Sequence, residues 1–199
     1  VLRQPDVGSA MTLAPVAFSM LWAAGAKLWQ LLVVAGAAVA STPLMWLAMK
    51  DYQRQRVLSF LDPEADTLGS GYNLIQSKIA IGSGGLFGRG FLQGSQSQLK
   101  FVPMHHNDFI FAVLGEEWGL LGCGVVLFLY LFLFLRALAI AQAARDPQGR
   151  LLAVGITAML ATQVVVNIGM TTGILPVTGI TLPLLSYGGS SVLLVMVCM

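Results

Sequence analysis

The chain has 199 residues, of which 56% are hydrophobic and 10% are charged, and its mean hydropathy is +0.78. Soluble domains carry about 25% charged residues. This composition therefore excludes a soluble globular protein and indicates an integral membrane protein. The net charge of +2 is too small to favour a nucleic-acid partner, and no run of basic residues suggests one.

Apolar segments in the chain are long enough to cross a bilayer as helices. The predicted spans are about 7–26, 28–49, 120–140, 151–173 and a truncated 184–199. The chain begins without the basic n-region of a signal peptide and stops at Met199 inside an apolar run, so both ends are expected to be cuts through a longer protein. Cys123 and Cys198 lie in apolar segments and are expected to form neither a disulfide nor a metal site.

The segment 50–118 differs from the rest because it holds most of the acidic residues. Connections longer than about 15 residues are usually functional or disordered, and the apolar residues spread through this one argue against disorder. A short helix is predicted over 72–81. The predicted fold is an all-α, polytopic helical bundle with a long, partly helical extracytoplasmic cap. The basic residues near the helix ends are balanced on the two sides, so they do not decide the orientation.

Few polar residues interrupt the predicted spans. Gln163 and Asn167 lie four residues apart, on one face of a helix, where hydrogen bonds between helices are a better explanation than a transport site. No span contains a buried charge of the kind that marks proton relays or ion paths, which weighs against a transporter.

Asp108 directly precedes the apolar run 109–114. A carboxylate at the edge of an apolar wall is costly unless it is paired, solvated or functional. Asp108 also suits the N-terminus of a helix starting near Phe109, and that role is compatible with a catalytic one. His105 and His106 are adjacent, so they point apart and do not indicate a zinc site.

The glycine-rich stretch 82–90 has the sequence GSGGLFGRG. It lacks the lysine of a Walker motif and a preceding strand, so a P-loop is excluded. A looser role remains, in which backbone N–H groups and Arg89 lie near a pyrophosphate.

Several motifs together resemble the SEDS family of bacterial cell-wall proteins. They are DYQRQRV (51–57), GYNLIQSKIAIGSGG (71–85), HNDFIF (106–111) and GILPVTGITLPLLSYGGSS (173–191). NIGM (167–170) and QSQL (96–99) are more similar to the rod-shape branch, RodA, than to the division branch, FtsW. The resemblance covers essentially all 199 residues and corresponds to the C-terminal half or so of a ten-helix protein.

The resemblance implies a peptidoglycan glycosyltransferase that polymerises lipid II in the bacterial inner membrane, with the cap facing the periplasm. It implies two kinds of partner, a class B penicillin-binding protein that crosslinks the strands and the wider elongation machinery. The essential aspartate of the family falls on Asp108. The family pattern there is usually Pro-Glu-x-His-Thr-Asp, and this chain has Met104 for the Glu and Asn107 for the Thr.

The chemistry implied by the resemblance is an inverting transfer, because lipid II is an α-linked pyrophosphate and the glycan is β-linked. A single displacement needs one base, for which Asp108 is the candidate. The leaving pyrophosphate needs positive charge, from a side chain or from a Mg or Mn ion. The predicted substrate-binding residues are Arg56, Lys78, Arg89, Glu116, Glu117, Gln76 and Ser77. The first three supply positive charge. The two glutamates could orient a cation, or could instead mark the membrane interface.

Two other classes of function stay open at this point. One is a lipid II flippase or other transporter, which the same membrane bundle could serve. The other is a non-catalytic scaffold that recruits a transpeptidase through the helices 120–140 and 151–173. A scaffold should tolerate the loss of the Asp108 carboxylate, whereas a polymerase should not.

Overall fold

The computed structural model describes residues 7–43, 54, 58–60, 62, 70–91, 93, 108–187 and 196. The longer helices are α1 (Val7–Ala23), α2 (Leu28–Ala40), α3 (Ser70–Gly84), α4 (Ile110–Ala143) and α5 (Pro147–Thr172). No strand occurs in the described residues, which confirms the all-α prediction. The residues of interest that lie outside them are Arg56, His105, His106, Cys198 and most of the predicted span 184–199.

Two of these helices are long and apolar enough to cross a membrane, α4 with 34 residues and α5 with 26. α1 and α2, with 17 and 13 residues, are shorter than the roughly 20 residues that a span needs. α4 begins at Ile110, ten residues before the predicted start of the third span, but its non-helical residue Gly119 divides it into two helical stretches, the second of which begins at Leu120. Most large apolar side chains of α4 are exposed, as expected of a helix that faces lipid.

One compact unit is formed by residues 1–55 and 133–162. Its local structure follows from the residues at the helix ends. α1 ends where Gly25 adopts a φ of 92°, and the Asp146 carboxylate accepts a 3.0 Å hydrogen bond from the N–H of Gly149 in the first turn of α5. The Arg150 guanidinium donates to the carbonyl of Ala23 at 3.3 Å, which ties the end of α1 to the start of α5.

The second unit comprises residues 56–132 and 163–199 and holds the candidate site. The helix predicted over 72–81 is present as α3 and is longer at both ends. α3 is fixed to the C-terminal end of α5 by the buried Ser77 hydroxyl, which donates to the Thr171 carbonyl at 2.7 Å. Leu74 and Ala80, three residues to either side of Ser77, are also buried.

A glycine clasp, made by residues 84–90 and 115–121, joins the end of α3 to α4. Gly119 has φ 65° and ψ −162°, which interrupts the helix and frees two backbone N–H groups and two carbonyls from the i to i−4 pattern. The residues 85–90 pair with them. The bonds run from the N–H of Arg89 to Glu116 O, Gly90 to Glu117 O, Leu120 to Gly85 O and Leu121 to Leu86 O, at 2.9 to 3.1 Å.

Glycine is required in the clasp because the two backbones approach so closely. A Cβ at Gly84 would overlap the carbonyl of Gly115, and one at Gly88 would overlap the carbonyl of Glu117. A Cβ at Gly119 would overlap the backbone nitrogen of Gly88. The glycine-rich pattern in 82–90 therefore serves a backbone-to-backbone contact in this structure.

Candidate functional site

Asp108 lies two residues before α4, in a turn, and is half-buried. Its carboxylate is close to the main chain of Gly179, where a Cβ would lie 3.6 Å from Asp108 Oδ2. Gly179 has a φ of 75°, which other residues rarely adopt. Burial removes water from the carboxylate and raises the pKa of Asp108 above its ordinary value. The carboxyl group is thus better suited to accept a proton than an exposed aspartate.

Asn167 joins the Asp108 segment to the loop that follows α5. Its side-chain nitrogen donates to the carbonyl of Asp108 at 2.8 Å and to the carbonyl of Ile180 at 2.6 Å. The side chain is fully buried. The prediction that Asn167 forms hydrogen bonds between helices is wrong, since both partners lie outside helices.

The loop 173–187 is held by a series of side-chain and backbone bonds. The N–H groups of Ile174 and Leu175 donate to Gly169 O at 2.8 and 3.0 Å, which closes the end of α5. Further along, the Tyr130 hydroxyl of α4 donates to the carbonyl of Pro183. The backbone beside Asp108 is therefore anchored at both ends.

Lys78, a residue of α3, contacts the start of the same loop. The end of its side chain packs directly on the main chain of Gly173, where a Cβ would overlap Lys78 Cε. Gly173 has a φ of 77°, so both its conformation and its contact favour glycine. The predicted cation and the predicted base thus contact the same loop, Lys78 at Gly173 and Asp108 at Gly179.

The other predicted substrate-binding residues of α3 have different surroundings. Ser77 is fully buried and its hydroxyl donates to Thr171 O, so the structure gives it a role in holding α3 to α5. Gln76 is partly exposed, and its contact with substrate stays a prediction.

Arg89, Glu116 and Glu117 meet at the glycine clasp rather than beside Asp108. Glu116 is 0% exposed and Glu117 is 9% exposed, so both acids are packed inside the protein, and their place at the membrane interface stays a prediction. Arg89 is exposed, and its Nε donates to Ser83 O at 3.2 Å. The N–H groups of Arg89 and Gly90 donate to the two glutamate carbonyls. The prediction that backbone N–H groups of this stretch face a pyrophosphate is therefore wrong for these two.

The part of the chain that the structure describes contains no cluster of side chains that could bind a divalent cation. No three His, Cys, Asp or Glu side chains lie close enough together there to hold a metal ion. Mg²⁺ and Mn²⁺ are held by several oxygen ligands, often with substrate phosphates among them. The cation stays a prediction.

A small cavity of about 160 Å³ lies beside the first turns of α4. Its walls include Ile110, Leu114, Glu117 and Leu182, so it is mostly apolar with one acid. Asp108 and Lys78 are not among the residues that line it. The half-buried Asp108 carboxylate can accept a proton, and the Lys78 ammonium can stabilise negative charge.

The residues that the sequence analysis missed are mainly backbone supports of Asp108. Tyr130 lies in no motif, whereas Gly173 and Gly179 lie in the motif 173–191 without having been singled out. Asn167 likewise lies in a motif, since it opens NIGM, on which part of the resemblance rests.

Residues 1–199 match the family model FTSW_RODA_SPOVE, described as "Cell cycle protein". The chain is 52% identical over 198 residues to "Peptidoglycan glycosyltransferase MrdB" of Escherichia coli (strain K12), covering 98% of this chain and 53% of that protein. It is 44% identical over 195 residues to "Probable peptidoglycan glycosyltransferase FtsW" of Trichlorobacter lovleyi, covering 98% and 50%. The chain thus spans about half the length of the curated relatives it matches.

Two solved structures share this fold. One comes from work on the structural coordination of polymerization and crosslinking by a peptidoglycan synthase complex. It has a TM-score of 0.80 and 38% identity, and covers 99% of this chain and 54% of that one. The other is a mutant of the Thermus thermophilus rod shape determining protein RodA, with a TM-score of 0.60 and 31% identity, covering 98% and 48%.

Proposed function

This chain belongs to the FtsW, RodA and SpoVE family, as its motifs predicted, and we propose that it carries the catalytic aspartate of an enzyme that polymerises lipid II into glycan strands for cell elongation. The names of its relatives support a glycosyltransferase. The single observation that carries the assignment to a site is the setting of Asp108. Its half-buried carboxylate has a raised pKa and lies against an anchored glycine loop that Lys78 also contacts.

The proposed reaction is one displacement. Asp108 accepts the proton of the attacking sugar hydroxyl, whose oxygen forms a bond to the anomeric carbon as the bond from that carbon to the pyrophosphate oxygen breaks. The electron pair leaves with the lipid pyrophosphate, and configuration at the carbon inverts. Lys78 supplies positive charge for the departing pyrophosphate, which stabilises the charge that develops in the transition state.

The membrane setting and the partner follow from the same proposal. Lipid II is anchored in a bilayer, and α4 and α5 are long and apolar enough to hold the site at its edge. The bacterial inner membrane, with the site on the periplasmic side, is the location that fits this substrate. A class B penicillin-binding protein is the proposed partner, and the similarity to a chain of a synthase complex that couples polymerization to crosslinking supports it.

The test uses the protein in its full length, purified with its transpeptidase partner and supplied with lipid II. We expect glycan polymer to be lost in Asp108→Ala. The matched control is Asp146→Ala, which removes an exposed carboxylate from the turn before α5 and costs only a helix cap, about 1 kcal/mol of stability. We expect this control to keep its polymerase activity.

Other outcomes would replace the proposal. Polymer formation by Asp108→Ala at the wild-type rate would remove Asp108 as the base. If wild type makes no polymer but moves lipid II across vesicle bilayers, the protein is a flippase. If polymer formation depends on the partner alone, the protein is a scaffold.

A further inference from the structure

The orientation of the Asn167 carboxamide is set by its two partners. Both Asp108 O and Ile180 O are backbone carbonyl oxygens, which accept hydrogen bonds and cannot donate them. The NH₂ group must therefore face them, and the amide cannot be turned over without losing both bonds. The opposite atom, Oδ1, is buried and has no hydrogen-bond donor among the residues that the structure describes.

The two hydrogen bonds that Asn167 donates reach both partners in the contact between Asp108 and the loop 173–187. One holds the main chain of Asp108 itself, and the other holds Ile180, the neighbour of the glycine against which the carboxylate lies. Asn167 therefore fixes both members of that contact to one rigid position on α5. A residue that only joined helices would need neither of these partners.

We infer that Asn167 is a positioning residue for the proposed base, because its carboxamide holds the main chain of Asp108 and of Ile180 at one separation and so fixes where the Asp108 carboxylate lies. This inference rests on the proposed function. Since the Asn167 side chain is 0% exposed, it does not touch substrate and acts through Asp108. Displacement of a catalytic group by about 1 Å can cost on the order of 100-fold in rate.

The test compares Asn167→Asp with wild type in the full-length protein. Aspartate has nearly the same volume as asparagine and opens no cavity. It has no donor when ionised and one O–H when protonated, so it cannot donate to both carbonyls as the NH₂ group does. We expect kcat for polymerisation, per folded molecule, to fall by about 10- to 100-fold, with KM for lipid II within about 2-fold of wild type. Asn167→Ser, which keeps a hydroxyl donor but is too short to span both carbonyls, is the milder second variant, and it decides the question if Asn167→Asp does not fold.

Thr171→Val is the matched control. Thr171 lies one turn further along α5 and is equally buried, but its hydroxyl donates only to Asn167 O and Ile168 O of its own helix. We expect its kcat per folded molecule to stay close to wild type. A purely structural Asn167 would behave in the same way, with fewer folded molecules and an unchanged kcat.

Measured beside Asp108→Ala, the outcomes separate the two claims. If Asp108→Ala is inactive while the Asn167 variants retain the wild-type kcat, the positioning role is overturned and the proposed function stands. If Asp108→Ala itself polymerises lipid II, the proposed function fails and the positioning role fails with it. A lowered kcat shared equally by Thr171→Val would also overturn the inference.

Discussion

Alanine in place of Gly119 tests the glycine clasp where its geometry is most demanding. Gly119 combines φ 65° with ψ −162°, a region of backbone conformation that is essentially restricted to glycine. The added Cβ would also overlap the backbone nitrogen of Gly88 and lie 2.8 Å from the carbonyl carbon and oxygen of Leu86. These contacts are with backbone atoms, which cannot turn aside as a flexible side chain can.

The expected cost has two parts. The strained backbone contributes about 1–3 kcal/mol. Each of the backbone hydrogen bonds between 85–90 and 116–121 contributes about 0.5–1.5 kcal/mol, so the loss of two of them adds about 1–3 kcal/mol. The total, about 2–6 kcal/mol, is a large part of the 5–15 kcal/mol that typically stabilises a folded protein.

The measurement is the thermal or chemical unfolding of the purified protein in detergent. Gly124→Ala is the matched control, because Gly124 lies in the same helix and a Cβ there meets nothing within 4 Å. Alanine is a better helix former than glycine by about 1 kcal/mol, so the control is expected to be neutral or slightly stabilising. Equal stability of Gly119→Ala and Gly124→Ala would refute the clasp.

Two further predictions follow from the site. Ser77→Ala is expected to lower the free energy of unfolding by about 1–2 kcal/mol, because it removes the bond to the Thr171 carbonyl between α3 and α5. Ser83→Ala, whose hydroxyl donates only to Ala80 O within α3, should cost less, and equal losses would contradict the argument. Burial raises the pKa of Asp108, so we expect the rate of polymerisation to decline as the pH falls, already at pH values above 3.8, the ordinary pKa of an aspartate. A rate that declines only below pH 3.8 would be evidence against a buried base.

Much of the helical framework could be predicted from the sequence, because apolar length and periodicity determine it directly. The helix over 72–81 and the spanning segment near 151–173 are present with shifted ends. The sequence predicted the third span only from about 120, whereas α4 already begins at Ile110. In the structure Glu116 and Glu117 are buried, and Gly119 interrupts the helix where the backbone of 85–90 forms hydrogen bonds with that of 116–121.

The candidate site could be predicted only in part. Asp108 stands out in sequence because a carboxylate before an apolar run is energetically unusual. The support around it depends on contacts distant in sequence, such as Asn167 with Asp108 and Gly179 with the Asp108 carboxylate. No local pattern reports such pairs. The role of Ser77 was also missed, since a serine inside a motif looks the same whether it faces a substrate or another helix.

The central claim is that Asp108 accepts a proton, and Asp108→Asn tests it most directly when polymerisation and stability are measured on the same sample. Asparagine keeps the size of the side chain and removes the basic oxygen. The native state holds a proton on Asp108 more tightly than the unfolded state does, so the ionised carboxylate opposes folding at pH values above the raised pKa. We therefore expect no glycan polymer from Asp108→Asn and a midpoint of unfolding equal to or above that of wild type. Polymer at the wild-type rate, or loss of polymer only together with loss of the fold, would contradict the account.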